Sequence, residues 1–213
     1  MEKLNHYDVF EVIDTFNIEK VQHCDTLKNW LNISGELDDF ETKLIEEARQ
    51  SLELKWDEWN EEELKMLFIS LVFFVAKPTE HKKINAFYER RLSGNVNDIH
   101  ISLVVDCMLA SPTNSGLPKM PYFFLQEFKR SLGDNHDPEG QMLAAMILTQ
   151  ELNQDSNPVY GCWIQGKNWN FTVLNGTEYC VSRQFDATNS EALHQITLIL
   201  RKLKELIISC GGF

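Results

Sequence analysis

Two apolar runs followed by a strong helix start constrain the fold more than any other feature of the sequence. Residues 103–111 and 121–130 are short apolar runs interrupted by single charges, a pattern typical of buried strands. Asp137-Pro138 then combines an N-cap residue with a proline at the first helical position, which predicts a helix over residues 137–152. Residues 159–164 predict another strand. A helix that joins two strands in this way implies a crossover connection, and therefore a mixed sheet.

Charged residues interrupt the two strand-like runs at Asp106, Glu127 and Lys129. Because side chains alternate along a strand, Glu127 and Lys129 point to the same side. Buried charges are costly unless they are paired or bind a ligand. Two carboxylates near a lysine can hold a hard divalent cation against a phosphate, with the lysine orienting water or stabilising developing charge. A Glu-x-Lys pair on a strand is also common as a surface ion pair, and this interpretation stays open.

The order of these residues resembles the PD-(D/E)XK nuclease superfamily. Asp106 lies on one strand, Glu127-Phe128-Lys129 on the next, and Gln141 in the helix that follows. More narrowly, the chain is similar to the restriction-endonuclease-like domains at the amino ends of type I restriction motor subunits. The resemblance covers about residues 60–206.

The resemblance implies a role for each matching residue. Asp106 and Glu127 match the two metal carboxylates, Lys129 the catalytic lysine, and Gln141 the helix glutamine near the metal and the nucleic acid. Glu63 best matches the family's acidic residue on the first core helix, which faces the metal. A capping role for the glutamates that follow Asn60 explains them equally well, so both interpretations of Glu63 stay open.

The sequence also departs from the family pattern. Val105 precedes Asp106 where the family has its name-giving proline, and Ala144 and Ala145 stand where an aromatic residue often follows the glutamine. The resemblance implies Mg²⁺-dependent hydrolysis of phosphodiesters in DNA, with Mn²⁺ as an alternative metal and oxygen ligands only. The alternative is a catalytically inactive nuclease-fold module that binds a protein partner or nucleic acid.

The charge balance bears on the expected partner. The 213 residues carry a net charge of −12, whereas affinity for DNA comes from Lys and Arg residues that replace counterions. We therefore expect weak intrinsic binding to nucleic acid, or delivery to the substrate by a protein partner. A local basic footprint would use some of the following residues: Lys82, Lys83, Arg90, Arg91, Lys129, Arg130, Lys167 and Arg183.

The remaining sequence predicts one α/β domain with an additional helical segment. We expect residues 1–55 to form a helical N-terminal extension, and residues 56–213 to form a restriction-endonuclease-like mixed sheet flanked by helices. Hairpin turns are predicted at residues 93–95 and, as type I′, at Asn175-Gly176. No apolar run reaches the roughly 18 residues of a membrane span, and the N-terminus lacks a signal-peptide core. These features predict a cytoplasmic protein without membrane contact.

Overall fold

A computed structural model describes residues 2–3, 7–129 and 137–209. The described part of the chain forms a single nine-stranded mixed sheet flanked by helices, with helical segments near the N-terminus. The predicted fold class, an α/β fold of this kind, is confirmed. In the described residues no helix is long and apolar enough to cross a membrane.

The elements are named here in chain order. The strands are β1 (Glu2–Lys3), β2 (Glu19–Val21), β3 (Asn85–Val96), β4 (Ile99–Pro112), β5 (Pro118–Lys129), β6 (Val159–Gln165), β7 (Asn168–Asn175), β8 (Glu178–Val181) and β9 (Phe185–Asp186). The helices are α1 (Val9–Phe16), α2 (Asp25–Leu31), α3 (Asp39–Lys55), α4 (Glu61–Leu64), α5 (Ser70–Ala76), α6 (Pro138–Asn153) and α7 (Ser190–Ser209). A π-helical turn, Lys65–Ile69, joins α4 to α5.

The sheet has the strand order β1-β4-β5-β6-β7-β8-β2, with β3 paired to β4 and β9 paired to β7. The β1–β4, β2–β8 and β5–β6 pairs are parallel, and the other pairs are antiparallel. Helix α6 connects β5 to β6, which confirms the predicted crossover. This connection places the start of α6 after the end of β5, where two of the candidate site residues lie.

Helices cover both faces of the sheet and bury two apolar clusters. On one face, α2, α3, α5 and α7 surround a cluster that includes Trp30, Phe68 and Trp169. On the other face, α1 and α6 form a cluster that includes Val12 and Met146. The first 55 residues thus contribute helices to both clusters, and β2 extends the edge of the sheet.

The start of α6 is built as its sequence predicts. The Asp137 side chain caps the helix by accepting a hydrogen bond from the Glu139 backbone N–H, and Pro138 occupies the first turn. The second Asp137 carboxylate oxygen accepts from Val9 N at 2.8 Å. One residue therefore fixes the N-termini of both α6 and α1.

The predicted turn at residues 93–95 is wrong. Those residues continue β3, and the chain instead reverses at Asn97 and Asp98, whose φ angles are 49° and 65°. Two successive positive φ angles are typical of a type I′ hairpin. Gly94 has another reason for its small size, because a Cβ atom there would lie 2.8 Å from Leu148 Cδ1 of α6.

The predicted type I′ turn at Asn175-Gly176 is also wrong in its register. Asn175 pairs with Glu178, so the two loop residues are Gly176 and Thr177. Gly176 has a φ of 60°, and neither neighbour has a positive φ. Glycine at the first loop position is typical of a type II′ turn.

Candidate active site

The candidate site lies where β4 and β5 stop pairing. The ladder between these strands ends at Cys107 and Gln126, whereas β5 continues to pair with β6 as far as Lys129. Beyond the end of the ladder, the Asp106 Oδ2 atom accepts a hydrogen bond from Phe128 N at 2.7 Å. A side chain of β4 thus substitutes for a backbone partner, and brings its carboxylate to the last residues of β5.

The structure brings together the three residues that the sequence identified first. Asp106, Glu127 and Lys129 are buried, with exposed fractions of 8%, 5% and 9%. The Lys129 Nζ atom donates a hydrogen bond to Glu127 Oε1 at 2.7 Å. Strand alternation places both side chains on the same side as Leu125, which packs in the cluster formed with α6. The Glu-x-Lys pair is therefore a buried ion pair, and the surface interpretation does not apply.

The acidic residue that α4 brings to this cluster is Glu61. Its Oε2 atom lies 3.9 Å from Lys129 Nζ. Glu63 instead closes a capping box, in which its carboxylate accepts from Asn60 N at 2.8 Å and its own N–H binds Asn60 Oδ1 at 2.9 Å. Of the two interpretations of Glu63, the structure matches capping. The spacing of Glu61 from the buried Leu64 would have indicated the correct glutamate, because residues three apart share a helix face.

Sequence reasoning missed Lys65. Its Nζ atom lies 2.8 Å from Glu61 Oε1, 3.1 Å from Glu89 Oε1 and 3.0 Å from Asp106 Oδ1. The ammonium also lies 5.6 Å from the centre of the Phe128 ring. A single lysine at the start of an otherwise apolar helical run was the available signal, since such a charge needs partners when it is buried.

Burial shifts the protonation of both carboxyls, and the charge of Asp106 adds to the shift of Glu127. Burial, and next the negative charge of Asp106, raise the pKa of Glu127 to about 8, although Lys129 acts in the opposite direction. Burial also raises the pKa of Asp106, opposed by the Phe128 N–H and by Lys65. Repulsion between these carboxylates means that added positive charge stabilises the site.

The two lysines remain protonated. Burial would lower the pKa of Lys129, but the charge and hydrogen bond of Glu127, together with the charges of Glu61 and Asp106, outweigh burial, so the pKa is raised. The same balance holds for Lys65, whose pKa is raised by Glu61 and Asp106 against the effect of burial. The site therefore holds two ammonium groups beside two carboxyls that repel each other.

Gln141 lies in the first turns of α6, as predicted. Its Oε1 atom is buried and finds no hydrogen-bond partner among the residues that the structure describes. It is not hydrogen-bonded to Asp106, Glu127 or Lys129 within those residues. A buried amide oxygen without a partner is unusual and leaves an acceptor for water or a ligand N–H.

The donor set fits a hard divalent cation. Asp106 and Glu127 supply carboxylate oxygens, which Mg²⁺ and Mn²⁺ prefer. Their mutual repulsion, seen in the raised pKa of Glu127, is of the kind that a cation relieves. Within residues 7–129 and 137–209, no three His, Cys, Asp or Glu side chains converge as a metal site. The described residues therefore offer two carboxylates to a cation, and each of these carboxylates contacts a lysine.

Comparison with known proteins assigns no family. No protein-family model matches this sequence, and no curated protein does so either.

Proposed function

We propose that this chain hydrolyses phosphodiesters in DNA with Mg²⁺, or with Mn²⁺ in its place, as a nuclease of the PD-(D/E)XK type. One observation carries the proposal: Asp106, Glu127 and Lys129 come together in buried positions where β4 and β5 separate. Buried carboxyls with raised pKa values and specific charge partners cluster at active sites, and Asp106 and Glu127 are both of this kind.

The roles of the residues follow from their chemistry. Asp106 and Glu127 would hold the cation, which when bound polarises a phosphate oxygen and acidifies a water molecule. Lys129 places its ammonium beside Glu127, where it stabilises negative charge that grows on the phosphate. The buried Gln141 oxygen, which has no partner among the described residues, would accept a hydrogen bond from water. Glu61, in place of Glu63, is the helix carboxylate that borders the site.

The expected partner is nucleic acid, which the chain binds weakly by itself. The net charge of −12 opposes approach to a polyanion. A protein partner that delivers the substrate would supply the missing affinity.

A second candidate is an inactive nuclease-fold module that binds a protein or nucleic acid. The observation that favours it is the pairing of both carboxylates with ammonium groups, Asp106 with Lys65 and Glu127 with Lys129. Such pairing neutralises the site without a metal.

Cleavage of supercoiled and single-stranded DNA in Mg²⁺, Mn²⁺ or EDTA tests the proposal. We expect metal-dependent cleavage by the wild type and a loss of about 10²- to 10³-fold in Lys129→Met, which keeps the stem but removes the charge. Lys77→Met is a matched control, because Lys77 also pairs with a buried carboxylate, Glu41, at 2.8 Å. The control variant is expected to cleave at the wild-type rate.

Calorimetry adds a second measurement, in which Asp106→Ala loses the metal binding that Lys129→Met retains. Equal cleavage by wild type and Lys129→Met would place the active site elsewhere. A folded wild type that cleaves nothing under any of these conditions would support the inactive module.

A further inference from the structure

We propose that Lys65 is a built-in counter-cation, which holds Asp106 in the metal-free protein and must release it before a divalent cation can bind. Lys65 thereby sets the metal concentration at which the site fills. This inference rests on the proposed function, because it concerns the regulation of the same site.

The contacts of Asp106 leave one oxygen for a metal, and Lys65 occupies it. Phe128 N–H holds Oδ2, while Lys65 Nζ lies 3.0 Å from Oδ1. A divalent cation binds carboxylate oxygen at about 2.1 to 2.5 Å. Two positive charges that close together on one oxygen repel strongly in a buried site. Metal binding at Oδ1 therefore requires that the ammonium move away.

Lys65 has other partners to which it can move. Glu61 lies 2.8 Å and Glu89 3.1 Å from Nζ. The exposed fractions of these side chains are 32% and 60%, against 10% for Asp106. When Lys65 leaves Asp106 it thus remains paired at the rim of the site. The proposed release therefore breaks only the contact of Lys65 with Asp106 and keeps its contacts with Glu61 and Glu89.

The backbone on both sides of this contact is irregular. Lys65 begins the π-helical turn Lys65–Ile69, and such turns in α-helices are frequent at functional sites. Glu89 has a φ of 52°, which is uncommon for a residue other than glycine. It lies between Tyr88 and Arg90, which pair with the residues flanking Asp106. From these two irregular positions Lys65 contacts both Glu89 and Asp106.

Binding of Mn²⁺, followed by loss of the free-ion electron paramagnetic resonance signal, tests the inference without reference to activity. We expect Lys65→Met to bind Mn²⁺ about ten- to a hundredfold more tightly than wild type, since a charge-assisted hydrogen bond no longer competes. Glu89→Gln is expected to bind severalfold more weakly, because Lys65 loses one partner at the rim. In Lys65→Met/Glu89→Gln the effect of the Glu89 substitution disappears.

A double-mutant cycle separates this competition from a general effect of charge. If the two substitutions act only through the electric field, their effects add, and additivity would overturn the proposal. Unchanged or weaker binding in Lys65→Met would overturn it as well. Lys77→Met, which removes the same charge from the Glu41 pair, is expected to leave Mn²⁺ affinity unchanged.

The remaining outcomes distinguish this inference from the proposed function. Circular dichroism checks the folding of each variant, and if Lys65→Met does not fold, Lys65→Gln takes its place in the same cycle: effects that do not add support the proposal, and additive effects overturn it. Mn²⁺ binding that shifts as expected without any DNA cleavage would refute the nuclease and leave the Lys65 mechanism intact. DNA cleavage together with Mn²⁺ binding that depends on Asp106 but is unchanged in Lys65→Met would support the nuclease and refute the Lys65 mechanism. Absence of Mn²⁺ binding in both wild type and Lys65→Met would overturn both.

Discussion

Glu127 is the residue whose environment makes the sharpest prediction about pH. Its folded pKa of about 8 lies above its ordinary value of 4.5, so the folded state binds a proton more tightly than the unfolded state. The stability that this proton contributes is fully present below about pH 4.5 and is lost as pH rises through about 8. In EDTA, the free energy of unfolding of wild type should therefore fall relative to Glu127→Gln by about 1 kcal/mol or more across this range. Urea denaturation at several pH values measures the difference.

Glu41 serves as a control for Glu127, because its pKa is shifted in the opposite direction. Burial would raise its pKa, but hydrogen bonds from Lys77 and Arg201 outweigh burial and lower it to about 2. The stability contributed by Glu41 is present above its ordinary pKa of 4.5 and is lost as pH falls toward 2. Glu41→Gln should thus approach wild type in acid, whereas Glu127→Gln diverges from it in base. Parallel pH profiles for the two variants would contradict the assignment of the Glu127 shift.

At the residue scale, the sequence predicted the three buried charges but not their full surroundings. Asp106, Glu127 and Lys129 were recognisable because each interrupts an apolar strand. The choice between Glu61 and Glu63 depended on which glutamate closes the capping box, and the structure shows that Glu63 does so. A lysine at the start of an apolar helical run indicated that Lys65 needs partners, but two of them, Glu89 and Asp106, lie on other elements and could not be named from the local sequence.

The approach of α6 to α1 predicts a steric effect at Gly140. A Cβ atom there would lie 2.7 Å from the Tyr7 carbonyl carbon and from Val9 N, and would clash with Tyr7 O. Backbone atoms cannot give way as a flexible side chain can, so Gly140→Ala should destabilise the fold by about 2 kcal/mol or more. Gly35→Ala is the control, because a Cβ there meets only Leu198 at 3.4 Å. Equal denaturation midpoints for the two variants would mean that α1 does not pack as described.

Gly176 tests the effect of backbone conformation without a side-chain clash. Apart from its chain neighbours, no atom of the described residues lies within 4 Å of a Cβ built at Gly176, so the cost of substitution arises from its φ of 60°. Gly176→Val should destabilise the fold by about 1 kcal/mol or more, because a β-branched residue adopts positive φ poorly. Gly176→Asn is the comparison, since asparagine tolerates positive φ better, and chemical denaturation should rank it between valine and wild type.

At the scale of elements, helices with clear end signals were predictable and hairpins less so. The cap at Asp137 predicted α6, and the strands predicted on either side of this helix implied the crossover from β5 to β6. The two turn predictions failed for different reasons. Gly94 was interpreted as a turn signal, but it lies within β3, where a Cβ would be 2.8 Å from Leu148 Cδ1. Gly176 does lie in a turn, but at the first loop position and not the second. Close approach of a helix to a strand cannot be deduced from a local sequence pattern.

At the scale of the whole molecule, the net negative charge disfavours binding of a polyanion, whereas exposed arginines on the edge strand β3 favour it. The chain carries 32 acidic and 20 basic side chains. Arg90 and Arg91 are nevertheless exposed on β3, where they pair with Val105 and Val104 immediately before Asp106. Because successive side chains of a strand alternate, the two arginines lie on opposite faces of this edge strand. A polyanion that follows the edge toward the candidate site would meet a cation on each face, and their contribution to DNA binding would be electrostatic and independent of sequence.

Removal of both arginines gives a quantitative expectation. The slope of log K for duplex DNA against log salt should become shallower by about 1.8 in Arg90→Gln/Arg91→Gln, if each arginine neutralises one phosphate. Fluorescence anisotropy in Ca²⁺ at several salt concentrations measures the slope under conditions that disfavour cleavage. Lys43→Gln/Lys55→Gln removes the same charge from exposed positions of α3, which packs on α5 and α7, and should leave the slope unchanged. Equal slopes for the two double variants would show that DNA does not approach the candidate site along β3.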